Sequence, residues 1–154
     1  MPDFSGLLKA PAGQAPKPKA LYPDNYPAVI KGWEILPAPA GKNYSAIIRF
    51  QLGITGWGAN VPEDEKTVTM PTGVVTSIDL SKKQLRRDFY DSSLFRLDEL
   101  IRSCGIEPNG RSYEEVLPEL VGSQVIAEVK QYLNQNTNEF GNEIGNLVGE
   151  AGGK

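Results

Sequence analysis

The stretch Ala28-Val29-Ile30-Lys31-Gly32-Trp33-Glu34-Ile35-Leu36, stopped by Pro37-Ala38-Pro39, decides what kind of fold this chain adopts. It is rich in β-branched and aromatic residues, which pack well on a pleated surface, and a proline cluster cannot continue a ladder. After Gly41-Lys42-Asn43, which has the composition of a turn, Tyr44-Ser45-Ala46-Ile47-Ile48-Arg49-Phe50-Gln51-Leu52 alternates with a period of two. Successive strand side chains point to opposite faces. Tyr44, Ala46, Ile48, Phe50 and Leu52 are thus expected on one face, and Ser45, Ile47, Arg49 and Gln51 on the other. Residues 28–52 read as a strand pair with a short connecting loop.

Downstream, residues 53–65 contain Gly53, Gly56, Gly58 and Pro62 and are expected to form a long exposed loop carrying Trp57. Lys66-Thr67-Val68-Thr69-Met70 reads as a third strand, ended by Pro71. Ser81-Lys82-Lys83-Gln84 has the form of a capping box, in which a Ser hydroxyl and a Gln side chain satisfy free amides, so a helical segment is expected to start there. Leu94, Leu97, Ile101 and Cys104 recur at helical spacing, and Gly105 follows where a C-cap glycine belongs. The principal helix is placed at roughly 92–104, with Asp91 or Ser92 as its cap. A further turn of helix over 113–115 or slightly beyond is limited by Pro118. Residues 121–133 alternate again, Asn134-Gln135-Asn136-Thr137-Asn138 is a polar turn, and 139–148 form the returning strand. Gly141, Gly145 and Gly149 weaken that last strand.

Upstream, six of the twelve prolines fall in the first 27 residues. Such a run neither holds a helix nor pairs as a central strand, so residues 1–25 are expected to be a disordered Pro-rich arm. The domain then covers 26–148, with 149–154 as a flexible tail. Strands gathered around one helix, mostly joined by hairpins, indicate a mainly β fold: a small five-stranded antiparallel barrel with its helix between the third and fourth strands. That is the arrangement of the OB-fold.

Composition removes many functions. The chain has 154 residues, one cysteine and no histidine. Histidine-based triads, dyads and general bases are therefore unavailable. One thiol makes neither an internal disulfide nor a Cys/His zinc site. The formal net charge of -3 averages over +2 for residues 81–102 and -5 for 103–154. No stretch approaches the ~18 apolar residues of a membrane span, and residues 1–20 hold no signal-like apolar run. A cytoplasmic protein without a membrane partner is expected, and no cofactor or metal is called for. Glu63-Asp64-Glu65 are adjacent carboxylates in a loop, which are usually solvated rather than metal-binding. Cys104, on the apolar helix stripe, reads as a packed thiol.

Several stretches resemble a family of small phage proteins found beside replication and recombination genes and related to single-stranded-DNA-binding OB-folds. They are Tyr26-Pro27-Ala28-Val29-Ile30 with the later Gly41-Lys42 turn, Tyr44-Ser45-Ala46-Ile47-Ile48-Arg49-Phe50, the helix from Phe95 to Ile106, Glu119-Leu120-Val121-Gly122-Ser123-Gln124-Val125, and the Asn-rich hairpin ending Glu143-Ile144. The resemblance spans roughly residues 26–148. It implies a non-catalytic protein whose partners are single-stranded DNA, or RNA, and phage replication or recombination proteins. A homo-oligomer is compatible with it, and a phage-encoded protein would work in the host cytoplasm.

Binding a single strand needs aromatic faces for stacking and cations along the phosphates. By alternation, Lys31 and Trp33 share a face on the first strand, Arg49 lies opposite the core on the second, and Lys130 and Tyr132 share a face near the end of 121–133. Trp57 joins them from its loop, and Lys82 and Lys83 from the densest basic run, whose charges could instead pair with Asp88 and Asp91. The candidate nucleic-acid-binding set is therefore Lys31, Trp33, Arg49, Trp57, Lys82, Lys83, Lys130 and Tyr132. A Trp on a strand is more often packed against its neighbours than offered to a base. The competing reading is a virion or other structural phage protein that uses its N-terminal arm for protein contacts.

Overall fold

The computed structural model describes Leu8, Lys9, Ala12 and residues 19–150. In chain order the elements are β1 (Asp24–Pro37), β2 (Ala46–Ile54), β3 (Thr67–Thr69), β4 (Val75–Ser77), β5 (Gln84–Tyr90), α1 (Phe95–Ser103), α2 (Tyr113–Leu120), β6 (Gln124–Asn134) and β7 (Glu139–Gly149). Five strands make one antiparallel sheet in the order β5-β2-β1-β6-β7, and β3 and β4 pair as a separate hairpin. The fold is mainly β, with two α-helices inserted between β5 and β6.

The strand pair forms as its alternation requires. Ile48, Phe50 and Leu52 of β2 are buried, together with Tyr26, Ala28 and Ile30 of β1 and Val125, Ala127 and Val129 of β6. Helices α1 and α2 close the core with Leu97, Leu100 and Ile101 and with Val116, Leu117 and Leu120. Full burial of each such aliphatic or aromatic side chain stabilises the fold by ~1.5–3 kcal/mol. Gly105 takes φ +83° just past α1, where its amide and that of Ile106 return to the Arg102 and Ile101 carbonyls. This is a helix end that a left-handed residue closes.

Four expectations are corrected. The expected barrel is not closed. β5 and β7 are the two edges of the sheet, and no ladder joins them. A side chain bridges that seam instead: Arg87 Nε donates to the Gly145 carbonyl at 3.1 Å, and its guanidinium lies 4.5 Å over the Phe89 ring. The third strand of the sheet is Gln84–Tyr90, not 66–70, which belongs to the small hairpin. No α-helix begins at Ser81, where one 3-10 turn (Leu80–Lys82) leads straight into β5. Finally, two α-helices replace one. Ser112 accepts the Glu115 amide at 3.2 Å and starts α2, which runs through Pro118 to Leu120.

Smaller differences follow from the same contacts. Asp91 does not cap α1, because its carboxylate accepts the Ser45 amide at 2.9 Å and the Ser45 hydroxyl at 2.5 Å. Tyr44 precedes β2 and packs on Tyr90 with ring centres 4.4 Å apart, rather than pointing into the core. Most of the proline-rich arm, and 151–154 of the expected tail, lie outside the described residues. The end of the arm, from residue 19 on, packs. Leu21 is buried, its amide donates to Asn142 Oδ1 at 2.7 Å, and its carbonyl accepts from Gln131 at 2.9 Å. Gly149 is required by close approach: its amide donates to Ser103 Oγ at 2.7 Å, and a Cβ there would collide with the α1 backbone. Among the described residues, no helix is long and apolar enough to cross a membrane.

Candidate nucleic-acid interface

The register of β1 decides which of its side chains meet a ligand. Ile30 pairs with Leu52, but Gly32 pairs with Gln51, so Lys31 is an extra residue in a β-bulge. Beyond the bulge the faces exchange. Trp33 stands opposite the buried Phe50, and it packs against the core. Lys31 and Trp33 thus do not share a face, and Trp33 is a packing residue.

On the outward side of the sheet, Glu34, Arg49 and Asp88 stand in one row across β1, β2 and β5, and Gly32, Gln51 and Arg86 in the next. Hollows lie along β5. The larger, about 570 Å³, separates Arg86, Asp88 and Tyr90 of β5 from Tyr132 and Glu143 of the β6–β7 ladder. The second, about 430 Å³, has Lys31, Glu34, Arg49 and Gln51 beside Arg86. Arg86 is exposed on the ridge between them and makes no ion pair among the described residues.

Arg49 is less available. Its guanidinium grips Asp88 with two bonds, Nε–Oδ1 at 2.8 Å and Nη2–Oδ2 at 3.1 Å, and this contact raises its pKa further above the ordinary value. Bidentate pairs of this kind are geometrically specific and hold both side chains in place. Arg87, its sequence neighbour's neighbour across the ladder, turns inward to the seam, where burial lowers its pKa. Lys31 and Arg86 are the cations left to meet an incoming anion in these hollows.

Tyr132 is placed by a glycine. It pairs across the ladder with Gly141, where a Cβ would stand 2.6 Å from the ring. With no side chain beneath it, the ring lies against β7 and is 45% exposed at the rim of the larger hollow. Tyr90, packed at a tilt against Tyr44, supplies a second ring on the opposite wall.

The remaining candidates are dispersed. Trp57 covers Tyr26 with ring centres 6.2 Å apart, and the Lys66 ammonium sits 5.8 Å over it. Burial, with the nearby Asp24 and Glu65 carboxylates, pushes the Tyr26 hydroxyl up to about 12. Lys83 donates to the Lys19 carbonyl at 2.6 Å, and burial lowers its pKa. Lys82 is exposed on its 3-10 turn, outside both hollows. Lys130 shares the outward face with Tyr132 but sits 3.9 Å from Glu128. Neither Asp88 nor Asp91 pairs with the basic run: Arg49 holds the first and Ser45 the second.

Sequence reasoning left Arg86 in the basic run 82–87 without selecting it, and missed Tyr90. The signal was present in Gln84-Leu85-Arg86-Arg87-Asp88-Phe89-Tyr90, whose odd members are apolar or inward and whose even members are polar. Among the described residues no group of His, Cys, Asp or Glu is placed to hold a metal ion, and Glu63 and Glu65 pair with Lys66 and Lys19. Cys104 is buried, and burial raises its pKa. No family model and no curated protein sequence matches the chain.

Proposed function

We propose that this is a non-catalytic single-stranded-DNA-binding protein with an OB-fold-like sheet, of the kind that serves phage replication or recombination. The observation that carries the reading is Arg86 on its ridge, with the Lys31 ammonium on one side and the Tyr132 and Tyr90 rings on the other. Cations beside exposed rings are what a flexible polyanion of stacking bases requires. The strand arrangement supports it too. Within the large sheet the helices fall between the third and fourth strands, and OB-folds are partly open five-stranded barrels. Their second and third strands and two flanking loops carry the ligand, and here those strands are β2 and β5.

Titration of a labelled oligonucleotide of roughly 30 residues tests the reading, since one such fold engages well under that length. Binding should weaken steeply from low to moderate salt as condensed counterions are released. Arg86→Ala should weaken binding and lower the salt slope by about one. No binding at low salt, where phosphate attraction is strongest, removes the reading.

The structural-protein reading draws on a different feature. The β3–β4 hairpin stands apart from the main sheet and exposes Met70, Val74 and Val75. Recovery of the chain in purified phage particles, with no affinity for oligonucleotides, would favour it.

A further inference from the structure

The larger hollow holds a feature that phosphate binding does not explain. Glu143 is exposed on its wall, two register positions from Tyr132 and opposite Lys130, whose ammonium lies instead 3.9 Å from Glu128, and no hydrogen bond or ion pair engages the Glu143 carboxylate among the described residues. An unpaired carboxylate beside a path for phosphates repels the backbone. It is useful there only if it meets a hydrogen-bond donor, and a single strand offers such donors on its base edges.

We propose that the hollow between β5 and the β6–β7 ladder is a base-selective subsite that prefers a base with an exocyclic amine, cytosine among the pyrimidines. This rests on the single-strand-binding reading of the same surface. The base stacks on the free face of Tyr132, which Gly141 lets lie against β7. Its backbone phosphate meets Arg86 on the β5 wall. The Glu143 carboxylate accepts from the cytosine N4 amine, a pairing that carboxylates make with base edges. Thymine presents a carbonyl at the same position, which a carboxylate repels. The other carboxylate of the hollow, Asp88, is held by Arg49, and Asn142 is bound on both side-chain atoms to the Leu21 backbone. Glu143 is therefore the free carboxylate of the hollow, and it sets the choice.

The test compares labelled oligo(dC) and oligo(dT) of equal length at pH 8 and low salt, with the full chain. The two have the same ring size and the same phosphates, so a difference reports the base edge. Oligo(dC) should bind about fivefold or more tightly. Glu143→Ala should bring the ratio to about one, whatever it does to overall affinity, because the residue is exposed and its removal leaves the core intact. Tyr132→Ala should weaken both oligonucleotides alike. Equal binding of the two by the unaltered protein overturns the base-selective subsite while leaving the single-strand reading in place. Binding of neither overturns both.

Discussion

Ser81-Lys82-Lys83-Gln84 and Ser112-Tyr113-Glu114-Glu115 share a local pattern, a Ser followed three residues on by Gln or Glu, and they become different structures. At Ser112 the hydroxyl accepts the Glu115 amide, and Val116, Leu117 and Leu120 follow on one buried helical face. At Ser81 the hydroxyl instead donates to Asp79 Oδ1 at 2.6 Å, so its bonding is spent backward along the chain. The residues after it alternate, and Leu85, Arg87 and Phe89 turn inward beside Leu52, Phe50 and Ile48. A cap contributes ~1 kcal/mol, whereas burying one Phe contributes up to ~3 kcal/mol. Between two local signals of equal form, the periodicity of what comes next decides.

The largest test of that comparison is Phe89→Ala. Phe89 is buried and meets Phe50 edge to face with ring centres 5.7 Å apart. Its truncation should cost ~3–5 kcal/mol, read from the urea midpoint. A cost below that of removing a cap would mean that burial does not hold β5 as a strand.

Next come the two serines themselves. Ser112→Ala should lose ~1 kcal/mol, as a working N-cap does, and Ser81→Ala less than ~0.5 kcal/mol, as an exposed position does. Equal losses in thermal unfolding would erase the distinction between the two sites.

The smallest effect concerns pH. Asp79 is held below its ordinary pKa, first by the Ser81 hydroxyl and then by the Ser81 amide. A carboxylate depressed in the folded state stabilises the fold above its unfolded value, near 3.8, and that contribution disappears as pH falls through the lower folded value. Asp79→Asn should therefore flatten the loss of stability as pH falls below about 4. An unchanged acid limb would show that the turn before β5 contributes nothing.

The comparison also marks how far the sequence could be read. The alternation from Tyr44 to Leu52 located β2 and its buried face, and the helical spacing ending at Gly105 located α1, because each pattern is repeated over several residues. Of α2 only a turn from 113 was legible, because proline usually ends a helix. Here the helix continues two residues past Pro118, to Leu120. For the candidate site, Lys31, Arg49 and Tyr132 do line the hollows, while Trp33, Trp57 and Lys83 serve packing and Lys82 and Lys130 stand outside. Arg86 and Tyr90 needed the correct periodicity for 84–90, which the capping-box pattern obscured.

From its own residues the sequence determined a β-rich chain with no histidine chemistry, a strand pair at 28–52, a helix ending at Gly105 and a hairpin around Asn136. These are decided over a few neighbouring residues, by side-chain period and backbone preference. Tertiary structure alone decided the rest. The bulge at Lys31 turns Trp33 inward because Phe50 waits opposite, and Asp88 takes Arg49 from across a ladder rather than from the basic run. The gap at Arg87 keeps β5 and β7 apart and opens the hollow that Tyr132 and Glu143 line. Each depends on which strand lies beside which, and no local pattern encodes a partner dozens of residues away.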